Sequence, residues 1–217
     1  MKKVISFSLW GDNPKYCVGA LRNAEIFDKF YPDWECRFYV HASVSEDILS
    51  KINSISNTEI ITVDQEPSWQ SMFWRFLPVI DEEVDVFICR DCDSRLNQRE
   101  MHAVQQWERS DKTVHIMRDH PYHGYAMLGG MIGFKKEVFH ILKKCLSQFK
   151  PSDEYGTDYN FFASILHPAV ISTSMIHDEF FDKKPFPTKR EKDQFVGQVF
   201  DEHENTPQEH IDALNNA

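Results

Sequence analysis

The stretch Val84-Asp85-Val86-Phe87-Ile88-Cys89-Arg90-Asp91-Cys92-Asp93-Ser94 decides the fold. Its first six residues are apolar except for Asp85, which predicts a strand buried on both faces. The strand runs straight into Asp-x-Asp. In open parallel sheets, ligands bind beyond the carboxyl ends of the strands. Two carboxylates placed there, one residue apart, can converge on a divalent cation. Hard oxygen ligands suit Mg²⁺ or Mn²⁺, whose remaining positions can take phosphate oxygens.

Upstream of that stretch, strand and helix patterns alternate. Val4 to Leu9 reads as a buried strand, and Tyr16 to Phe30 as a helix with Val18, Leu21, Ala24 and Phe27 on one face. Cys36 to Val40 is the next strand. Ser43 and Glu46 have the spacing of a capping box, with Ile48, Ile52 and Ile55 on the helix behind it. Glu59 to Val63 is a third strand, and Phe73, Phe76, Leu77 and Ile80 mark a third helix. This order predicts an α/β fold with a mostly parallel, Rossmann-type sheet and helices on both faces. Downstream, Asn97 and Glu100 can cap a helix. Val114 to Met117 and Leu128 to Phe134 read as strands, Val138 to Phe149 as a helix, and Ala169 to Ile176 as extended chain. From Thr188 onward the chain is polar with little periodicity and reads as a loose tail.

Composition narrows the function classes. The 217 residues carry 24 Lys+Arg against 34 Asp+Glu, a net charge of −10 that argues against a nucleic-acid polymer as partner. From Thr188 to the end, seven acidic residues stand against three basic ones, so −4 of the charge belongs to the tail. No apolar run approaches the roughly 20 residues of a membrane span, and no signal peptide is evident, so a cytoplasmic protein without an integral membrane segment is expected. The five cysteines fit free thiols in a reducing compartment. Cys89 and Cys92 form a C-x-x-C, read as two ordinary residues at a strand end rather than a redox pair.

With these residues in place, the sequence resembles the metal-dependent, Asp-x-Asp-containing nucleotide-sugar glycosyltransferases of the GT-A fold. Asp91 and Asp93 match the motif, with Cys92 between them. The resemblance implies a single catalytic domain over residues 1–200, with a nucleotide-binding half (1–95), an acceptor half (96–200) and an acidic tail (201–217). It implies Mn²⁺ or Mg²⁺ as cofactor and a nucleotide-sugar donor, UDP being the commonest nucleotide. The acceptor would be a saccharide, a lipid-linked group or a protein glycan. Leu9, Trp10 and Gly11 lie where that family meets the base and ribose, and Arg75 where a basic residue approaches the donor. Gly129 and Gly130 resemble the strand under the donor sugar.

His177, followed by Lys183-Lys184-Pro185-Phe186, resembles a late third metal ligand and a lysine on the diphosphate. Phe180 replaces the usual glycine between them, and Phe186 the usual Trp. This likeness leans toward retention of anomeric configuration, which stays undecided. If configuration inverts, Asp158 or Asp119 is the candidate base. The segment Arg118 to Gly124 is polar and aromatic, as an acceptor-facing loop would be. The alternatives are a haloacid-dehalogenase-like phosphatase using Asp91 and Asp93, and a non-catalytic nucleotide-sugar-binding domain.

Overall fold

The computed structural model describes all residues, 1–217. The strands are β1 (Lys2–Leu9), β2 (Glu35–Val40), β3 (Thr58–Thr62), β4 (Val84–Cys89), β5 (Val114–Arg118), β6 (Ile132–Lys135) and β7 (Ser174–Asp178). The helices are α1 (Pro14–Phe30), α2 (Glu46–Asn53), α3 (Gln98–Glu108), α4 (Phe139–Gln148), α5 (Thr157–Phe161), α6 (His167–Val170) and α7 (Gln208–Asn215). The seven strands form one sheet in the order β3-β2-β1-β4-β6-β5-β7. Only β6 runs antiparallel to its neighbours, β4 and β5. The architecture is the expected mixed, mostly parallel α/β sheet, and β4 sits at its centre.

The continuous apolar run of β4 follows from burial on both faces. Side chains alternate across the sheet. Val86 and Ile88 join the core that includes Phe27, Phe38 and Trp107, beneath α1 and α3. Phe87 and Cys89 join the opposite core with Phe76, Phe134 and Phe161. That second core is largely aromatic: Phe76 lies 6.2 Å from Phe134 and 6.0 Å from Phe162, at steep interplanar angles. Truncating such a ring to Ala costs about 3–5 kcal/mol.

Local chemistry sets the element ends. Pro14 opens α1, and the Asn13 side chain accepts the Lys15 amide at 3.1 Å. Asn97 caps α3 through the Glu100 amide at 2.9 Å, as expected. Several expectations are corrected. Helix α2 is capped by Ser45, because the Ser43 hydroxyl instead accepts the Gly11 amide at 2.8 Å. Residues 129–131 form a 3₁₀ turn before β6, so that strand starts at Ile132. Residues 169–173 stay helical, and β7 begins only at Ser174. The third predicted helix is a 3₁₀ segment, Trp69–Ile80, with Pro78 inside it.

The polar tail is packed rather than loose. Phe195 and Val196 are fully buried. Val199 bridges Ser94, the Phe200 amide donates to the Asp93 carbonyl at 2.8 Å, and α7 buries Leu214. No helix is long and apolar enough to cross a membrane.

Candidate active site

A cleft of about 810 Å³ opens beyond the carboxyl ends of β1 and β4. Asp91 and Asp93 both line it. Beneath them, the Arg90 guanidinium bonds Glu100 at 2.7 Å, each side chain only 2% exposed, and donates to the Cys89 carbonyl at 2.6 Å. Sequence reading missed this buried pair, which holds the strand end rigid. Cleaving such a pair strands a buried charge.

Each carboxylate of the motif has a cationic neighbour. The Arg75 guanidinium bonds Asp91 through Nη1 and Asp158 through Nη2, the latter at 2.9 Å. Lys15 Nζ lies 2.7 Å from Asp93 Oδ2. The Asp91 side chain remains 49% exposed and Asp93 15%, so Asp91 is the more open of the two to a ligand. Burial pushes the Asp93 carboxyl above its usual range, the nearby Asp91 charge adds to this, and Lys15 opposes it. Asp158 is raised too, by burial first and then by Asp91, with Arg75 opposing. Arg75 is itself buried and positioned by the backbone: its amide donates to Ser8 Oγ at 2.8 Å.

The glycines serve this arrangement. A Cβ on Gly129 would strike the Arg75 guanidinium, and one on Gly130 the Asp91 carboxylate. The space expected to lie under a donor sugar is therefore taken by the protein's own charged groups. Gly129 still lines the cleft.

Leu9, Trp10, Gly11, Arg75, Cys92 and Asp158 also line the cleft, as placed by the sequence. Gly11 adopts φ +71°, a conformation that favours glycine. Trp10 meets Trp74 edge-on at 5.9 Å. Cys92 is buried, its thiol 3.3 Å from the Ser8 carbonyl. All five cysteines are free, and burial pushes the Cys89 thiol up to about 12, so neither half of the C-x-x-C is a reactive thiolate.

Three expected residues lie elsewhere. His177 sits in β7, three strands from β4, or about 14 Å at the usual strand spacing. Both its ring nitrogens are engaged, Nδ1 with His115 at 2.7 Å and Nε2 with Gln106 at 3.1 Å. Burial, then Arg99, lowers it to about 4. Lys184 is exposed and pairs through its backbone with Asp178 at the end of β7. Asp119 is fully buried and saturated: it takes two bonds from Arg99 (2.8 and 3.0 Å), one from Arg190 (2.6 Å) and the Val196 amide (2.9 Å). The structure thus corrects His177 as a ligand of the Asp91–Asp93 site, Lys184 as a diphosphate contact and Asp119 as a base.

Asp119 instead ties the tail to the sheet and so builds a wall that the sequence only partly exposed. Tyr122 and His123, from the polar-aromatic loop, line the cleft together with Gly197, Val199 and His210 from the tail. The Asp119 amide donates to His123 Nδ1 at 3.0 Å. That bond places the ring proton on Nε2, and burial holds His123 neutral down to about 3. The legible signal for this wall was the two apolar pairs Phe195-Val196 and Val199-Phe200 within a mostly polar tail.

No protein-family model matches this sequence, and no curated protein matches it. Solved structures do share its fold. One is a glycosyltransferase involved in the glycosylation of the major capsid of PBCV-1, with TM-score 0.54 and 12% identity over 86% of this chain and 91% of that one. The fold is of the GT-A type. A 4-diphosphocytidyl-2C-methyl-D-erythritol synthase from Anaerococcus prevotii superposes with TM-score 0.55 and 12% identity, covering 87% and 91%. A mannosyltransferase from Pyrobaculum calidifontis, in complex with GDP-Man and Mn²⁺, gives 0.52 at 10% identity, covering 82% of this chain and 55% of that one. Sugar transfer and nucleotidyl chemistry both occur on this fold, so the chemistry has to be argued from the site.

Proposed function

We propose that this protein transfers a sugar from a nucleotide diphosphate donor to a hydroxyl acceptor with the help of a divalent cation. The observation that carries this reading is the presentation of Asp91 and Asp93 into one cleft at the end of the central strand, each steadied on one oxygen by a protein cation. No third His, Cys, Asp or Glu joins them. Two carboxylates fit a hard cation that keeps its other positions for water and phosphate oxygens. The Lys15 ammonium already stands where positive charge is favoured. When Mn²⁺ or Mg²⁺ is bound there, it acts as a Lewis acid on the leaving diphosphate.

The chain's own residues supply the rest. Arg75 orients Asp91 and Asp158 and brings positive charge to the cleft floor. Trp10 and Gly11 form the rim of the nucleotide side. Asp158, in the first turn of α5, lines the cleft, which supports a role toward the sugar. The lean toward retention rested on His177 and Lys184, and with both outside the cleft it loses its residues. The phosphatase alternative usually carries its Asp-x-Asp on the first strand, whereas here the motif follows the fourth.

A thermal-shift screen of UDP-glucose, UDP-galactose, UDP-N-acetylglucosamine and GDP-mannose, each with Mn²⁺ and with chelator, tests the reading. A donor should stabilise the protein only with metal, release nucleoside diphosphate on turnover, and lose both effects in Asp93→Ala. Equal stabilisation in chelator, or pyrophosphate release from a nucleoside triphosphate instead, would overturn it.

A further inference from the structure

The two sides of the cleft differ in what they offer a reacting hydroxyl. On the β1 side Asp12 lines the cleft, exposed and unbonded, beside the Trp10–Gly11 rim assigned to the nucleotide, and along the floor every carboxylate is committed. Asp91 and Asp158 bond Arg75, Asp93 bonds Lys15, and Asp153 accepts the Trp69 amide at 3.0 Å. Asp158 also accepts the Tyr159 backbone amide. On the β5 side, His123 has its one lone pair occupied by the Asp119 amide and can only donate. His210 is different. It lines the cleft, and its ring nitrogens make no hydrogen bond within the protein.

His210 is nevertheless held in place. His120 Nδ1 accepts the Tyr122 amide at 3.0 Å, so its proton sits on Nε2. That proton is donated to the His210 carbonyl at 2.8 Å, pinning the first turn of α7. The His210 ring meets Tyr122 edge-on at 5.3 Å and lies 5.4 Å from His120. Around it, the loop after β5 brings His120, Tyr122 and His123. Residues 195–199 bring Phe195 and no charge, and α7 itself carries Glu209 and Asp212. None of these bonds the imidazole. The wall stands across β4 from the β1 side.

We propose that His210 is the general base that takes the acceptor proton, and that the sugar is therefore transferred with inversion. This rests on the sugar-transfer reading above. The acceptor oxygen bonds the anomeric carbon as its proton passes to the His210 imidazole. The bond from the anomeric carbon to the phosphate oxygen breaks, and its electron pair leaves on the diphosphate. The step needs no oxidant or further reactant.

The test uses the full chain, the donor chosen by the screen, and methyl glycosides as acceptors. NMR of the wild-type product should show the anomeric configuration inverted. H210Q should keep its metal-dependent thermal shift with donor, lower kcat by about 10²–10⁴-fold and lose the acidic limb of the kcat/KM profile. Added imidazole should restore part of the rate of His210→Ala. Retention in the wild-type product overturns the proposal without any variant. So does an acidic limb that survives in H210Q and vanishes in D158N. If the wild type neither binds nor turns over any donor, the sugar-transfer reading itself has failed, and this proposal falls with it. Turnover unaffected in H210Q removes only the base assignment.

Discussion

The cleft wall on the β1 side is contiguous in sequence, whereas the wall on the β5 side is assembled from distant pieces. Residues Ser8 to Tyr16 follow directly from a strand into the capped start of α1, so their placement needs only local geometry. The opposite wall joins Tyr122 and His123 to Gly197, Val199 and His210. These segments meet because Asp119, Arg99 and Arg190 form a buried ion network and because His120 grips the His210 carbonyl. One wall is held by backbone hydrogen bonding and apolar burial. The other depends on charges and imidazoles that must keep their protonation states.

The strongest way to break this contrast is Asp119→Ala. It leaves two guanidiniums without their buried partner and should cost about 3–5 kcal/mol in urea unfolding. Proteolysis should then cut the chain after Thr188 first. If the tail stays resistant, the network does not hold the wall.

Acid should act on that wall through His123 and on the β7 edge through His177. The folded state holds His123 neutral down to about 3 and His177 down to about 4. Both values lie below the unfolded histidine range, so the unfolded chain binds more protons as pH falls. Their stabilisation is fully present above about pH 6.5 and is progressively lost below it, by about 2 kcal/mol per group at pH 5. Unfolding midpoints from pH 7.5 to 5 should fall, and both should recover partly in H123Q or H177Q. A flat profile would show that these imidazoles are not buried neutral.

Gly130→Ala sharpens the comparison from the floor of the cleft. Its methyl displaces the Asp91 carboxylate, costs about 1–3 kcal/mol by overpacking, and should abolish the Mn²⁺-dependent thermal shift with donor. Lys15→Ala on the β1 side should change stability by only about 0–1 kcal/mol, because the ammonium is partly solvated. A loss as large as that of Asp119→Ala would erase the distinction between the walls.

Much of the fold was legible in residues 1–93. Continuous apolar strands and 3.6-period helices encode a parallel sheet locally, and the carboxyl end of β4 marks where the cleft opens. Asp91, Asp93, Arg75, Asp158 and the Trp10–Gly11 rim could be named for that reason. The third helix was seen but not its 3₁₀ geometry, which sets Arg75 beneath Ser8. His177 and Lys184 were misplaced because a short motif match says nothing about which strand carries it. The β7 edge lies three strands from the site. Asp119 looked like a base because a polar-aromatic loop does not reveal a carboxylate already saturated by two arginines.

The sequence by itself determined the strand–helix order, the acidic pair at the end of β4 and the nearby aromatic rim, since each arises from neighbours in the chain. Only the tertiary structure decided which charges pair, why Gly129 and Gly130 must lack side chains, and that a polar tail brings His210 into the cleft. Those outcomes depend on contacts between residues from 10 to 90 positions apart. Burial makes each such charge find a partner, and periodicity carries no record of which one it finds.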